Sequence, residues 1–262
     1  MRVVLNGRAA ETGCRTAFEF RENDEIIILN GFQIADDREI REGDQICVIA
    51  KGTMPNQDGL EAMMSARHTP GVHERLKLGR VAVAGLGGVG SHVAVILARM
   101  GVGELLLVDY DAVEPSNLNR QHYTIRHLSM QKTLAMKSQL ADINPYINVI
   151  LRDIKINADN AVSVFAGWPV VVEAFDDPVC KADLIGALLA AGGVDIIAAS
   201  GLAGLGGANL IQTRHRLENL YLCGDLESAA GEGMGLMAPR VAICAGHQAN
   251  MAIRLLMGMG DV

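Results

Sequence analysis

Cysteine is scarce and scattered in this chain of 262 residues: Cys14, Cys47, Cys180, Cys223 and Cys244 are an odd number with no CxxC among them. Neither a disulfide framework nor a four-cysteine zinc site is encoded, and a reducing, cytoplasmic setting fits. Aromatic residues are also few, five Phe, four Tyr and one Trp. No Lys/Arg tract interrupts a formal charge of −7. The electrostatic footprint of non-specific nucleic-acid binding is therefore missing, and no nucleic-acid partner is expected. The start, MRVVLNGRAAETG, has no apolar signal core, and the longest uncharged run, residues 196–213, is broken by glycines, Asn209 and Gln212. These features predict neither an export signal nor a membrane span. What is present is ordinary globular composition: half the residues are apolar and a fifth charged, with 29 glycines and 12 methionines.

The chain changes texture once. Residues 1–52 read as short strands, RVVLN, TAFEF, IIILNGFQI and QICVIAKG, parted by the turn-like GRAAETG, RENDE and ADDREIREGD. TMPNQDG follows without periodicity, so residues 53–59 are predicted to be a linker. From residue 60 to 262 strands and helices alternate, which predicts an α/β domain with a mainly parallel sheet. RVAVAG has the continuous apolar character of a strand covered on both faces. ANLIQT and NLYLC are expected as late strands, NAVSVFAG as a helix, and PRVAICAGHQANMAIRLLMG as the last helix.

Chemistry concentrates after RVAVAG. Gly85, Gly87, Gly88 and Gly90, in GLGGVGS, directly follow that strand and open a helix. Backbone N–H groups there can approach phosphate oxygens, unless the glycines serve only strand–helix packing. Asp109 ends the next strand, where a carboxylate can accept hydrogen bonds from a nucleotide's ribose or simply cap the strand. Asp111, Asn117, Arg120 and then Lys132 follow. Several cations suit a triphosphate better than a dinucleotide, although a solvated surface pair would carry the same residues. Asp176 and Asp177 stand just past PVVVEAF, where either could hold Mg²⁺ against phosphates or cap the helix that begins VCKADLIG. Histidines 68/73 and 122/127 have the wrong spacing for a helical metal pair.

GLGGVGS, VDYDAVEPSNLNRQ, the Gln131-Lys132 helix and AFDD, in that order, resemble the adenylating domain of the ubiquitin-activating enzyme superfamily, in particular its ThiF/MoeB/HesA group. The resemblance covers about residues 60–262. It implies a Rossmann-like fold and a homodimer that uses ATP and Mg²⁺ to adenylate the C-terminal glycine carboxylate of a small β-grasp protein. Position by position it implies Gly88 in the phosphate loop, Asp109 at the ribose, and Asn117 and Arg120 at the phosphates. It likewise implies Lys132 as catalytic lysine, Asp176 as magnesium acid, and Arg67 as an arginine sent into the neighbouring protomer's site. Residues 1–52 resemble ThiS-type sulfur carriers, so a ThiS-like carrier with a Gly-Gly C-terminus is the implied partner and thiamine biosynthesis the implied pathway.

Two departures stand out. The ThiS-like segment runs through Lys51-Gly52-Thr53 instead of ending in a Gly-Gly carboxylate, so it cannot itself be adenylated there. The paired CxxC motifs of the group's structural zinc are missing, and no zinc is expected. Cys223 precedes AAGEGMGLMAP, a candidate mobile loop over the site, and is a possible acceptor thiol if its pKa is lowered and it is exposed. Cys180, beside Asp176 at a helix start, is a weaker one. The alternatives to carrier adenylation are an NAD-linked oxidoreductase, supported by the glycine turn and Asp109, and a non-catalytic nucleotide-binding regulatory module.

Overall fold

The computed structural model describes residues 1–50, 52, 57–66, 68–69 and 71–262. They form two units, Met1–Glu74 and Arg75–Val262.

In the first unit β1 (Arg2–Leu5), β2 (Arg8–Glu11), β3 (Ile26–Leu29), β4 (Phe32–Gln33) and β5 (Gln45–Ile49) make one sheet in the order β2-β1-β5-β3-β4. β1 and β5 run parallel at its centre. This is a small β-grasp-like sheet, closed over Val3, Ala17, Ile27, Ile34, Ile40 and Ile46. Two Asn-Gly pairs set its hairpins: Asn6-Gly7 and Asn30-Gly31 all take positive φ, the signature of a tight turn matching strand twist. Both asparagines also mend the sheet, with Asn6 Oδ1 accepting from Val48 N at 2.8 Å and Asn30 Oδ1 from Gln45 N at 2.9 Å. The first of these turns corrects the sequence reading, because residues 8–11 return as a strand and not as part of a turn. TAFEF is also not a strand. Glu19 Oε1 accepts from Thr16 N at 3.0 Å, and Ala17–Phe20 coil into a 3₁₀ turn. Beyond the sheet come α1 (Gln57–Ser65), which begins inside the stretch read as linker, and α2 (Val72–Lys77).

The second unit holds, in chain order, β6 (Arg80–Ala84), α3 (Gly88–Arg99), β7 (Glu104–Asp109), α4 (Lys132–Ile143), β8 (Asn148–Asp153), α5 (Ala161–Val164), β9 (Val170–Glu173), α6 (Pro178–Ala191), β10 (Asp195–Ala199), β11 (Gln212–Leu217), β12 (Leu220–Gly224) and α7 (Ala238–Leu256). The sheet order is β11-β12-β10-β9-β6-β7-β8. Every neighbouring pair is parallel except β11 with β12. β6 and β9 are buried almost throughout, as a sheet with helices on both faces demands. NAVSVFAG makes a single helical turn, α5. ANLIQT divides into a 3₁₀ turn at Ala208–Leu210 and a strand starting at Gln212. Ala245, Ala249 and Ala252 on α7 are fully buried, and their small side chains let this helix pack closely along α3. Among the described residues no helix is long and apolar enough to cross a membrane.

This order places the functional surface. From β6 the chain steps outward through β7 to β8; from β9 it steps the other way, through β10 to β12. Between β6 and β9 the direction reverses, and ligands of open α/β sheets bind at the carboxyl ends beside such a reversal.

Candidate active site

A cavity of about 490 Å³ lies at that reversal. Its walls include Gly85, Gly87 and Gly88 after β6, Asp109 and Asp111 after β7, Arg120, Lys132, residues 174–178 after β9, residues 199–203 after β10, and residues 226–230.

The glycine turn is built by close backbone approach. Gly85 sits at φ +90°, open to glycine and strained for other residues. A Cβ on Gly90 would stand 1.8 Å from the Gly85 carbonyl oxygen, so the first turn of α3 can close on the loop only as glycine. Gly90 is therefore a packing position and does not itself line the cavity, unlike Gly87 and Gly88.

Asp109 is buried, and its carboxylate accepts from Leu86 N at 2.6 Å and Asp111 N at 2.8 Å. Burial pushes its pKa up, opposed by the Lys132 ammonium and those two donors. Each oxygen keeps a lone pair for a further donor. Lys132, the first residue of α4, is also buried. Its Nζ lies 2.7 Å from Asp111 Oδ2 and 3.9 Å from Asp109 Oδ1, which aims a pre-paired ammonium at the cavity.

Arg120 is carried by the loop between β7 and α4. Its Nη1 donates to the Ser116 carbonyl at 3.1 Å and to Asn119 Oδ1 at 3.0 Å, and its buried Nε has no partner among the described residues. Three ties hold this loop against the glycine turn: Tyr123 Oη donates to the Leu86 carbonyl (2.9 Å), His122 N to Ser91 Oγ (3.0 Å), and His92 Nε2 to the Arg120 carbonyl (3.2 Å). Asn117 is placed differently from expectation. It is buried away from the cavity, and its Oδ1 accepts from Glu114 N at 3.0 Å, closing the turn that presents Arg120.

The aspartate pair splits its duties. Asp177 caps α6, accepting from Val179 N at 2.8 Å and Cys180 N at 3.3 Å, and these donors hold its pKa down. Asp176 is exposed on the cavity wall and free of such duty. Arg67 lies outside the described residues. Among the described residues no three His, Cys, Asp or Glu side chains gather closely enough to hold a metal alone.

Cys223 is corrected as an acceptor thiol. It is 0% exposed in β12, and burial pushes its pKa up to about 11, the reverse of what a thiolate nucleophile requires. Cys180 lines the cavity, yet burial and Asp177 raise its pKa too. The segment over the site is tied down on one side: Asp225 accepts from Glu227 N (2.9 Å), Ser228 N (2.8 Å) and Ser228 Oγ (2.7 Å) and pairs with buried Arg240 of α7. These donors hold the Asp225 carboxyl at about 2.

Sequence reasoning missed this Arg240–Asp225 latch and a second buried pair, Glu173 with Lys181. Glu173 was the readable signal, an acid at the end of the apolar strand VVVEAF. The Lys181 partner becomes visible only when α6 is folded back over β9.

Comparison with known proteins agrees with this geometry. A profile described as ThiF family matches residues 61–262, and one described as ThiS-like ubiquitin matches residues 1–52. The chain is 32% identical over 195 residues to a molybdopterin-synthase adenylyltransferase of Salmonella typhimurium, covering 72% of this chain and 77% of the relative. It is 30% identical over 207 residues to the adenylyltransferase and sulfurtransferase UBA4 of Saccharomyces cerevisiae, covering 75% of this chain and 46% of the relative. It thus spans about half the length of the yeast relative. Among solved structures, Escherichia coli tRNA N6-threonylcarbamoyladenosine dehydratase in complex with ATP shares the fold at TM-score 0.68 and 22% identity, over 75% of this chain and 93% of that one. E. coli MccB with AMPCPP and MccA does so at TM-score 0.58 and 20% identity, over 77% and 63%.

Proposed function

The chain belongs to the ThiF family, and from that premise we propose that it adenylates the C-terminal carboxylate of a ubiquitin-like sulfur carrier, a ThiS-like protein ending in Gly-Gly, in thiamine biosynthesis. The adenylyltransferase names of its relatives favour this reading over an NAD-linked oxidoreductase. The observation that carries it is the convergence of Lys132, Arg120, Asp109 and the glycine turn on one cavity at the sheet reversal.

In this reading the nucleotide's phosphates lie along the N–H groups of the glycine turn and the start of α3, and its ribose hydroxyls donate to the remaining lone pairs of Asp109. A carrier carboxylate oxygen attacks the α-phosphorus, an acyl–phosphate bond forms, and the bond to pyrophosphate breaks. Both reactants are anions, so positioning and charge neutralisation dominate. Lys132 stabilises the charge growing on the α-phosphate, and Arg120 that of the departing pyrophosphate. No general base is needed, because a C-terminal carboxyl is already ionised near neutral pH. Asp176 fits a magnesium ion: one exposed carboxylate on the cavity wall, with phosphates supplying further oxygens, matches the ion's habit of keeping most of its waters. When bound there the ion would neutralise phosphate charge. The acting form is proposed as a homodimer, with Arg67 as the residue contributed across the interface.

Incubating the chain with ATP, magnesium and a purified Gly-Gly-ended carrier tests the reading by mass spectrometry. The carrier should gain the mass of an adenylate. An unchanged carrier, with nucleotide bound, would favour the regulatory alternative.

A further inference from the structure

The cavity has two halves, and the reaction proposed above draws its cationic side chains from one. Arg120 and Lys132 serve the half under the glycine turn. The half beyond β9 carries Asp176, Asp177 and Glu227 and one cationic wall residue among the described residues, Lys181. Among the described residues this ammonium is the side-chain countercharge available to an anion entering on that side.

Lys181 is a built feature. Its Nζ donates to the carboxylate of Glu173, which is 0% exposed, and to the Ala199 carbonyl at 2.9 Å, where β10 ends. Glu173 is secured in turn, its Oε1 accepting from Phe175 N at 2.7 Å, and Gln248 Nε2 bridges the carbonyls of Glu173 (2.9 Å) and Ile197 (3.0 Å). Burying a carboxylate completely is costly even when it is paired, and an apolar pair of similar volume would hold the two strands with less penalty. The arrangement instead fixes an ammonium. Two of its three N–H groups are occupied, and the side chain remains 26% exposed on the cavity wall. A third donor is therefore held toward the space in front of β9 and β10.

The walls around that space mix small residues, such as Gly201, Ala229 and Ala230, with Leu202, Leu226 and Ser228.

We infer that Lys181 is the residue that binds the incoming peptide's C-terminal carboxylate, with Glu173 as the positioning residue that orients it. The inference rests on the adenylation reading and names its acceptor-side cation. Charge-assisted hydrogen bonds to a carboxylate are directional as well as strong. Lys181 therefore steers one carboxylate oxygen toward the α-phosphorus while the nucleotide half holds the phosphates.

The test compares a short synthetic peptide ending in Gly-Gly, as free acid and as C-terminal amide, binding to the full chain with a non-hydrolysable ATP analogue by calorimetry. The wild type should prefer the acid by about tenfold, the size of one charge-assisted hydrogen bond. Lys181→Gln should bring the two within about twofold, and Lys181→Arg should retain the preference. Should Lys181→Gln fail to fold because Glu173 is left uncompensated, the double change Lys181→Gln with Glu173→Gln removes both charges and carries the same expectation. Absence of an acid preference in the wild type overturns the inference, as does a preference that survives the loss of Lys181. A weakened ATP affinity with the acid preference intact also overturns it, by moving the ammonium to the phosphates. These outcomes separate from the fate of adenylation itself. A carrier that is adenylated although the wild type ignores the acid leaves the activity standing and removes Lys181 from it. An acid preference that depends on Lys181 in a chain that never forms adenylate does the reverse.

Discussion

The two halves of the cavity are built on different principles. Under the glycine turn, the working geometry is set by close backbone approach and backbone donors: a contact between Gly85 and Gly90, a carboxylate at Asp109 that accepts the Leu86 and Asp111 N–H groups, and an ammonium at Lys132 paired to Asp111. Beyond β9, it comes from side-chain ion pairs that include buried charges, Glu173 with Lys181 and Asp225 with Arg240. A half built from backbone contacts tolerates no added atom. A half built from ion pairs tolerates no lost partner, because a charge left alone in the interior is what costs most.

The sharpest way to break the first half is therefore to add one carbon. Gly90→Ala sets a Cβ against the Gly85 carbonyl oxygen and should lose about 4 kcal/mol or more. Chemical denaturation would read this, and a variant as stable as wild type would refute the close approach.

The second half should break by truncation. Arg240→Ala strands Asp225 and should cost roughly 3 kcal/mol in the same measurement. The pH dependence has a definite sign. Asp225 titrates at about 2 in the folded chain, below its ordinary value of 3.8. Its contribution is thus complete above the unfolded value and is lost as pH falls through the folded one. Asp225→Asn should flatten the acid limb of stability between about pH 4 and pH 2. An unchanged limb would mean that the latch does not act through charge.

Activity sharpens the comparison further. Lys132→Ala and Arg120→Ala should each lower adenylation about a hundredfold, the usual consequence of removing one preorganised charge from a transition state. Arg120→Ala should melt near wild type, whereas Lys132→Ala should also lose stability, because buried Asp109 loses its ammonium. Equal activity in either would place that side chain outside the chemistry. The smallest effect is expected at Cys223. Because its thiol is fully buried and pushed up to about 11, Cys223→Ala should keep adenylation within about twofold of wild type. The native thiol should also resist alkylation.

This contrast explains what could be read from sequence alone. The glycine turn, Asp109 and Lys132 were legible because each lies at a fixed step from a strand end or helix start, and the strand–helix alternation announced the parallel sheet. Asn117 is expected at the phosphates but does not line the cavity, since the motif shows spacing and not that the side chain is spent closing a turn with Glu114. Cys223 looked available because a glycine-rich stretch follows it; only packing in β12 shows the thiol enclosed. Lys181 and Arg240 escaped entirely. An isolated lysine or arginine in a helix reads as solvated, and nothing local reveals that a buried carboxylate waits on a neighbouring strand or loop. In the first unit, Asn6-Gly7 carried a legible hairpin signal that was absorbed into a longer turn, while the Thr16-to-Glu19 cap outweighed the strand-like alternation of TAFEF.

Carrier-dependent exchange of labelled pyrophosphate into ATP tests the central claim most directly, because it reports reversible attack of a carboxylate on the α-phosphorus within this cavity. The account predicts exchange with the wild type that requires a Gly-Gly-ended carrier and disappears when the carrier's terminal carboxylate is amidated. Exchange that proceeds equally without carrier, or no exchange from a chain that demonstrably binds both ATP and carrier, would contradict it.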